Sequence, residues 1–302
     1  LLAIASQDEP RARASAARFG IPRAYGSYAA LLADPDIQCV YIALPNDLHQ
    51  AWTLRAAAAG KHVLCEKPLA LSLAELDAME AACAAAGVRL MEALMYHFHP
   101  RYARLRALLD ATTIGPVRDV VAAFSFPLVA QANYRLDPSR GGGALWDVGG
   151  YCVHAARHAL LGAEPVAAQA AARYGPSGTD EQLAGLLEFS DGRTAQIACG
   201  FRMAEQQHIT IVGASGVLEI PHPAFTAWHG DPAPILLRHG ADVETLACPS
   251  ADPYELMAAA FSDAIRDGTP VPYPLAETRA TLRAVLALGQ AARTGARVVL
   301  DG

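Results

Sequence analysis

Two stretches of the chain gather side chains that could move a proton. In "GKHVLCEKPLALS", Gly60 to Ser72, an apolar strand-like run ends in Glu66, Lys67 and Pro68. Strands that end at the surface also finish in solvated charges and turn-forming prolines, so this ending alone does not single out a site. In "RGGGALWDVGGYCVHAARHALLG", Arg140 to Gly162, the residues Asp147, Tyr151, His154 and His158 follow at spacings of four, three and four. On a helix those offsets share one stripe. An acid, a phenol and two imidazoles on one stripe suit acid–base chemistry at a carbinol, whose hydroxyl proton needs an acceptor as hydride leaves the carbon. A tyrosine, ordinarily titrating near 10, serves as that acceptor when a cation such as Lys67 stands beside it. The other reading of the stripe is a solvated helix face with an Asp near its N-terminus. His154 and His158 lack a carboxylate at ligand spacing, and His97-x-His99 reads as a pocket or strand-end feature, so no metal is assigned.

The elements that position these groups follow from periodicity. Through residue 95, short apolar strands alternate with amphipathic helices. "LLAIA" precedes a helix with Pro10 early and Gly20 at its stop. "QCVYIAL" has the continuous apolar character of a strand buried on both faces. The helix "DLHQAWTLRAAAAG" ends in Gly60, and Ser72-Leu-Ala-Glu75 reads as a capping box opening a helix that closes at Gly87, before the strand "RLMEAL". This alternation predicts an α/β unit with a doubly wound parallel sheet, a Rossmann domain over residues 1–95. After Tyr96 the grammar changes to long strands joined by hairpin signals at Asp191-Gly192 and Ser215-Gly216. Two terminal helices follow, Tyr254 to Arg266 with Asp252 as N-cap and Pro253 at N1, and Leu275 to Arg293. Residues 96–302 are therefore expected to form an α+β domain with a large, mostly antiparallel open sheet.

In open α/β sheets, ligands sit beyond the carboxyl ends of the strands. Three strands here end in polar residues: Ser6-Gln7-Asp8, Leu44-Pro45-Asn46 with His49 close behind, and Glu66-Lys67-Pro68. Together they describe a rim.

Composition narrows the function classes. The 302 residues are 53% hydrophobic and 18% charged, which marks a globular chain. The net charge of -6 argues against a nucleic-acid surface. No uninterrupted run of eighteen apolar residues is present, so no membrane span is expected. The six cysteines form no C-x-x-C pair and read as buried thiols of a cytoplasmic protein.

The segment "YIALPNDLHQAWTLRAAAAGKHVLCEKPLALS" resembles the nucleotide-domain signature of the glucose–fructose oxidoreductase, inositol dehydrogenase and rhizopine-catabolism family (Gfo/Idh/MocA). "RLDPSRGGGALWDVGGYCV" is similar to the substrate-domain motif of its sugar- and dihydrodiol-dehydrogenase branch. The resemblance spans nearly the whole chain and does not specify one substrate. It implies a nicotinamide-dependent dehydrogenase of a sugar, polyol or related cyclic alcohol, with Lys67, Tyr151 and Asp147 as catalytic residues. Lys67 would touch both the reacting hydroxyl and the nicotinamide ribose, and the Lys67–Pro68 bond is a candidate for cis. On this reading Ser6, Gln7, Arg11, Leu44, Pro45, Asn46, His49, Glu66, Lys67 and Arg135 contact the cofactor. Lys67, Tyr96, His97, Asp147, Tyr151 and His154 contact the carbohydrate-like substrate. The open sheet implies a homodimer or homotetramer.

The sequence departs from the family pattern at its start. The resemblance begins at the second strand, and no G-x-G-x-x-G turn is found. In the strand order 3-2-1-4-5-6 that strand is central, so its neighbours are expected to have unpaired edges, and the chain reads as a fragment. Ser6 at the end of the first strand present, with Arg11 in the next helical turn, suits the 2′-phosphate of NADP, with NAD as the alternative. A solvated Arg11 is the bland reading. Two functional alternatives stay open: a reductase of a keto-sugar using the same acid–base pair, and a non-catalytic relative that senses a nucleotide or ligand.

Overall fold

The computed structural model describes residues 1–130, 132–160, 163–228 and 230–300, so Gly162 at the end of the second motif lies outside the described residues. The first half alternates as expected: β1 (Ala3–Ala5), α1 (Glu9–Phe19), β2 (Arg23–Tyr25), α2 (Tyr28–Ala33), β3 (Cys39–Ile42), α3 (His49–Ala58), β4 (His62–Glu66), α4 (Leu73–Ala85) and β5 (Leu90–Ala93). The unit β2–α2 was not legible in the pattern, because both elements are short and α2 buries no residue fully. The Asp8 carboxylate caps α1 by accepting from the Arg11 amide, and Gly20 closes it at a φ of 65°. At α4 the expected capping box is half made. Ser72 Oγ accepts from the Glu75 amide, but the Glu75 carboxylate reaches past Ser72 to the Leu71 amide.

Every strand pairing in this half is parallel, in two groups, β1–β2 and β3–β4–β5. The groups are not hydrogen-bonded to one another among the described residues. Between them runs a groove of about 860 Å3, walled by Ala3–Ser6 on one side and Cys39–Pro45 on the other.

The second half opens with α5 (Pro100–Asp110), β6 (Val117–Ser125) and α6 (Gly150–Ala159). Seven strands follow: β7 (Pro165–Tyr174), β8 (Asp180–Phe189), β9 (Thr194–Gly200), β10 (Gln206–Gly213), β11 (Val217–Ile220), β12 (Ile235–His239) and β13 (Asp242–Leu246). The half closes with α7 (Pro253–Arg266), α8 (Leu275–Thr294) and β14 (Val298–Val299). Nine strands form one open sheet in the order β13-β12-β11-β10-β6-β9-β8-β7-β14, antiparallel except for β6 beside β9. Both expected hairpins are present, β8–β9 and β10–β11. Two apolar cores result. One is built on β3–β5 and their helices; the other fills the space between the nine-stranded sheet, α5, α6 and α8. Trp146 packs against both.

Candidate active site

Lys67 follows the last residue of β4, in the cleft where the two cores meet. Its ammonium donates to the Asp147 backbone carbonyl at 2.8 Å and to Asp147 Oδ1 at 3.1 Å. The second carboxylate oxygen, Oδ2, accepts from Arg135 Nε at 2.7 Å. One buried carboxylate thus faces two cations. Burial pushes the Asp147 carboxyl up, but Lys67 and Arg135 outweigh it and hold it below its usual range. Burial likewise opposes the charge on Lys67, yet Asp147 and Glu66 keep its pKa above the ordinary lysine value. Glu66 anchors the turn: its carboxylate accepts from the Lys67 amide at 3.2 Å and from the Tyr41 hydroxyl. The Lys67–Pro68 peptide is cis.

The stripe carrying Asp147 and Tyr151 is not a regular α-helix. Leu145–Gly149 form a π-turn that passes directly into α6. Such turns rotate the residues before them relative to those after. The segment is started from outside: Asp180 on β8 accepts the Leu145 amide at 2.7 Å. Burial raises the Asp180 carboxyl from 3.8 to about 6. The glycines before this turn are required by contact. A Cβ on Gly143 (φ 126°) would meet Asp180 Oδ1 at 2.2 Å, and one on Gly142 would meet the Arg135 and Asp137 carbonyls at 2.6 Å. Asn46 on the rim donates to the Gly141 carbonyl at 2.9 Å, which docks this loop against the N-terminal half.

Tyr151 is 5% exposed, and the Lys67 ammonium stands 5.1 Å from its ring centroid. The expected effect of Lys67 on the phenol is corrected here. Lysine is spent on Asp147, and burial together with the charges of Glu66, Asp147 and Glu92 pushes the Tyr151 phenol well above its usual pKa. The side chain is therefore a protonated phenol, a proton donor, in the chain by itself.

The remaining expected site residues separate into groups. Ser6 and Gln7 follow β1, and the exposed Arg11 side chain makes no hydrogen bond among the described residues. Leu44 and Pro45 follow β3 at the other wall of the groove, and Asn46 comes next in the chain. His49, read as a cofactor contact, has both ring nitrogens against backbone carbonyls, 2.7 Å from Leu44 O and 2.9 Å from Pro68 O, and is fully buried. Arg135, also read as a cofactor contact, pairs with Asp147. Tyr96, His97 and His154, read as substrate contacts, lie behind Tyr151. Tyr102 donates to the Tyr96 hydroxyl at 2.8 Å, and that hydroxyl meets His154 Nδ1 at 2.5 Å. Burial drives the His154 imidazole well below its ordinary pKa, so it is neutral.

Three contributors escaped the sequence reading. Asp180 is a lone acid at the start of a strand, with no local signal of its helix-starting role. Tyr254 lies at the start of α7, where burial raises its phenol above the ordinary tyrosine value, with smaller effects of the Glu66 and Lys67 charges. Trp228, 46% exposed, stacks on Tyr254 with centroids 5.0 Å apart and planes at 16°. An exposed tryptophan in a Pro-rich loop was the available clue.

Residues 1–94 match the family described as an oxidoreductase family with an NAD-binding Rossmann fold, and residues 102–219 match the Gfo/Idh/MocA C-terminal domain. The chain is 40% identical over 300 residues to a D-xylose 1-dehydrogenase (NADP(+)) of Haloferax volcanii, covering 99% of this chain and 91% of that protein. Among solved structures, it superposes on an aldose–aldose oxidoreductase from Caulobacter crescentus in complex with glycerol. The TM-score is 0.91 at 30% identity, with 99% of this chain and 91% of that one covered. A 3-ketoreductase from Actinomadura kijaniata in complex with NADP and TDP-benzene gives a TM-score of 0.88 at 32% identity, with coverage of 100% and 91%.

Proposed function

The chain belongs to the Gfo/Idh/MocA oxidoreductase family, and on that premise we propose that it is an NADP-dependent dehydrogenase of an aldose or related cyclic polyol, with Lys67, Tyr151 and Asp147 as its catalytic residues. Nicotinamide-dependent transfer of hydride from a carbohydrate carbinol, or to the corresponding carbonyl, is the chemistry of the family. The observation that carries the site assignment is the convergence of Lys67 from β4 with Asp147 and Tyr151 from the π-turn and α6, buried and charge-paired in one cleft. In the Actinomadura ketoreductase, a Lys→Ala and a Tyr→Phe variant are known. Their positions are as far apart in that sequence as Lys67 and Tyr151 are here.

The residues at the end of β1 fit the cofactor. The exposed Arg11 guanidinium, without a hydrogen bond among the described residues, and the Ser6 hydroxyl suit a 2′-phosphate, and the acid nearest in sequence, Asp8, caps α1. Leu44, Pro45 and Asn46 would hold the cofactor from the opposite wall. When bound, the cofactor supplies the hydride acceptor or donor. Asp147 keeps the Lys67 ammonium charged and fixed, and that ammonium orients the substrate oxygen. Tyr151 exchanges the hydroxyl proton with that oxygen. The stacked Trp228–Tyr254 pair offers a flat apolar surface to a sugar ring. A second reading is reduction of a keto-sugar, which would use the same Lys67–Tyr151 pair in the opposite direction.

We place the boundary between the two domains near residue 95, where one core gives way to the other. A homodimer through the outer face of the nine-stranded sheet is supported by a recess of about 560 Å3 there, lined by small and polar residues such as Ala170, Ala184 and Gln196. No helix among the described residues is long and apolar enough to cross a membrane, and six free thiols suit the cytoplasm. Fluorescence titration with NADPH and NADH tests the cofactor reading, with NADPH expected to bind at least ~10-fold tighter. Binding of neither cofactor, with sugar oxidation and keto-sugar reduction both absent, overturns both enzymatic readings and leaves the sensing relative.

A further inference from the structure

A buried cation without a counter-ion lies outside the site described above. Arg101, near the start of α5, is 3% exposed. The titratable groups beside it are His99, Tyr102 and Cys248, with no carboxylate among them. Burial pulls its guanidinium down to about 10, and the positive end of the α5 dipole adds to the cost. Nη1 is buried and has no hydrogen-bond partner among the described residues. A group this costly to bury directs attention to what its other nitrogen holds.

Nη2 donates to two successive carbonyls, Pro223 O at 2.8 Å and Ala224 O at 2.6 Å. Gln207 of β10, 2% exposed, grips the next two residues. Its Oε1 accepts the Phe225 amide at 2.9 Å and the Thr226 amide at 3.0 Å, and its Nε2 donates to Thr226 Oγ1 at 2.7 Å. Two buried side chains therefore fasten four consecutive residues, Pro223 to Thr226. These lie in the connection from β11 to β12, which has no helix or strand of its own. The backbone of such a connection takes its place from tertiary contacts.

The fastened segment leads to the cleft. Phe225, 1% exposed, stacks on Phe124 with planes at 5°, and its centroid lies 5.7 Å from that of Tyr151. Three residues on, Trp228 stacks on Tyr254. The backbone partners of Trp228 itself are exposed: its amide donates to Asp231 at 2.9 Å, and its carbonyl accepts from Ser250 at 3.5 Å. The buried bonds thus sit between the ring beside Tyr151 and the stacked pair, and the exposed bonds lie beyond it.

We propose that Arg101 and Gln207 are positioning residues for sugar binding: from beneath, they fix Pro223–Thr226 so that Trp228 stays on Tyr254 and that surface keeps its place relative to Tyr151. The inference rests on the reading of the Trp228–Tyr254 pair as the surface that meets the sugar ring. Neither residue touches the reacting atoms, so the effect falls on binding and not on the chemical step.

The experiment uses the chain with NADP and D-xylose, and the variants Arg101→Met, Arg101→Lys and Gln207→Met. Arg101→Met and Gln207→Met should each raise KM for D-xylose about 10-fold and leave kcat within about threefold of the parent. Arg101→Lys should fall between parent and Arg101→Met, because an ammonium lacks the planar fork that meets two carbonyls. A readout independent of activity is acrylamide quenching of Trp228, whose share of the fluorescence is identified with Trp228→Phe. Its quenching constant should rise about twofold in both Met variants, as the stacked ring is released. If Arg101→Met does not fold, Gln207→Met and Arg101→Lys carry the test; loss of the folded circular dichroism in all three assigns the pair to the core and overturns the proposal. Parental KM and parental quenching in the folded variants overturn it, as does a fall in kcat at unchanged KM. If the parent does not turn over D-xylose, the functional reading fails and the quenching alone decides the positioning role: equal values in parent and variants overturn it, and a rise in the variants upholds it.

Discussion

The front and the rear of Tyr151 are built from similar side chains and reach opposite electrostatic outcomes. In front, Lys67, Arg135 and Asp147 are all ionised, because each charge has a partner within 3.1 Å. Behind, Tyr96, Tyr102, His97, His154, His158 and Tyr273 crowd ring against ring with no carboxylate among them. Burial lowers all three imidazoles, His158 to about 4, so the cluster is uncharged at neutral pH. His97 Nδ1, His158 Nε2 and the Tyr273 hydroxyl have no hydrogen-bond partners among the described residues. The same helix, α6, supplies Tyr151 to the front and His154 to the rear. A titratable group without a counter-ion, once buried, surrenders its charge; reactivity here follows the pairing and not the residue type.

The largest expected effect falls on the front. Lys67→Ala and Tyr151→Phe should each lower kcat by about 10²–10⁴-fold, with the circular dichroism of a folded chain retained, and the double variant should be little worse than either single one. Near-parental turnover in Lys67→Ala at saturating cofactor would sink the reading of this ion cluster as the reaction centre.

An intermediate effect concerns Asp180, the acid beneath the front cluster. Its folded pKa lies at about 6 against 3.8 when unperturbed, so the folded state takes up its proton first. The stability it contributes is complete below pH ~4 and is lost as the pH rises through about 6, an effect on the order of 3 kcal/mol. Asp180→Asn stays neutral throughout, so the Tm of the variant should gain on that of the parent between pH 4 and pH 7. A constant difference across that range would mean that Asp180 is ionised in the fold at ordinary pH.

The smallest effect belongs to the rear. Tyr96→Phe removes one hydroxyl from an uncharged network and leaves the His154 nitrogen without its partner. It should cost about 1–3 kcal/mol of stability in denaturant titration and change kcat by less than about threefold. A loss of turnover approaching that of Lys67→Ala would show that the two clusters are coupled and would break the distinction.

How much of this was legible beforehand depended on the range of each interaction. The strand–helix alternation, the caps at Ser72 and Asp252, and the hairpins at Asp191-Gly192 and Ser215-Gly216 are written in neighbouring residues, and the structure forms them where they were read. Lys67, Asp147 and Tyr151 were recognisable because two local motifs each carry an unusual density of polar residues in an apolar setting. His49 is a different case. It follows a strand end in the sequence, but its ring turns back onto the Leu44 and Pro68 carbonyls, and spacing does not report that direction.

Local chemistry was therefore enough to settle the class of fold, the two halves, and the identities of the cation, acid and phenol that meet. Tertiary structure decided what those groups are worth. The meeting of Lys67 with Asp147 spans 80 positions, and the Asp180 cap on the Leu145 amide spans 35. The protonation of Tyr151 is set by charges arriving from four separate elements. Burial and counter-charge are properties of a place, and a place is made only when distant segments pack.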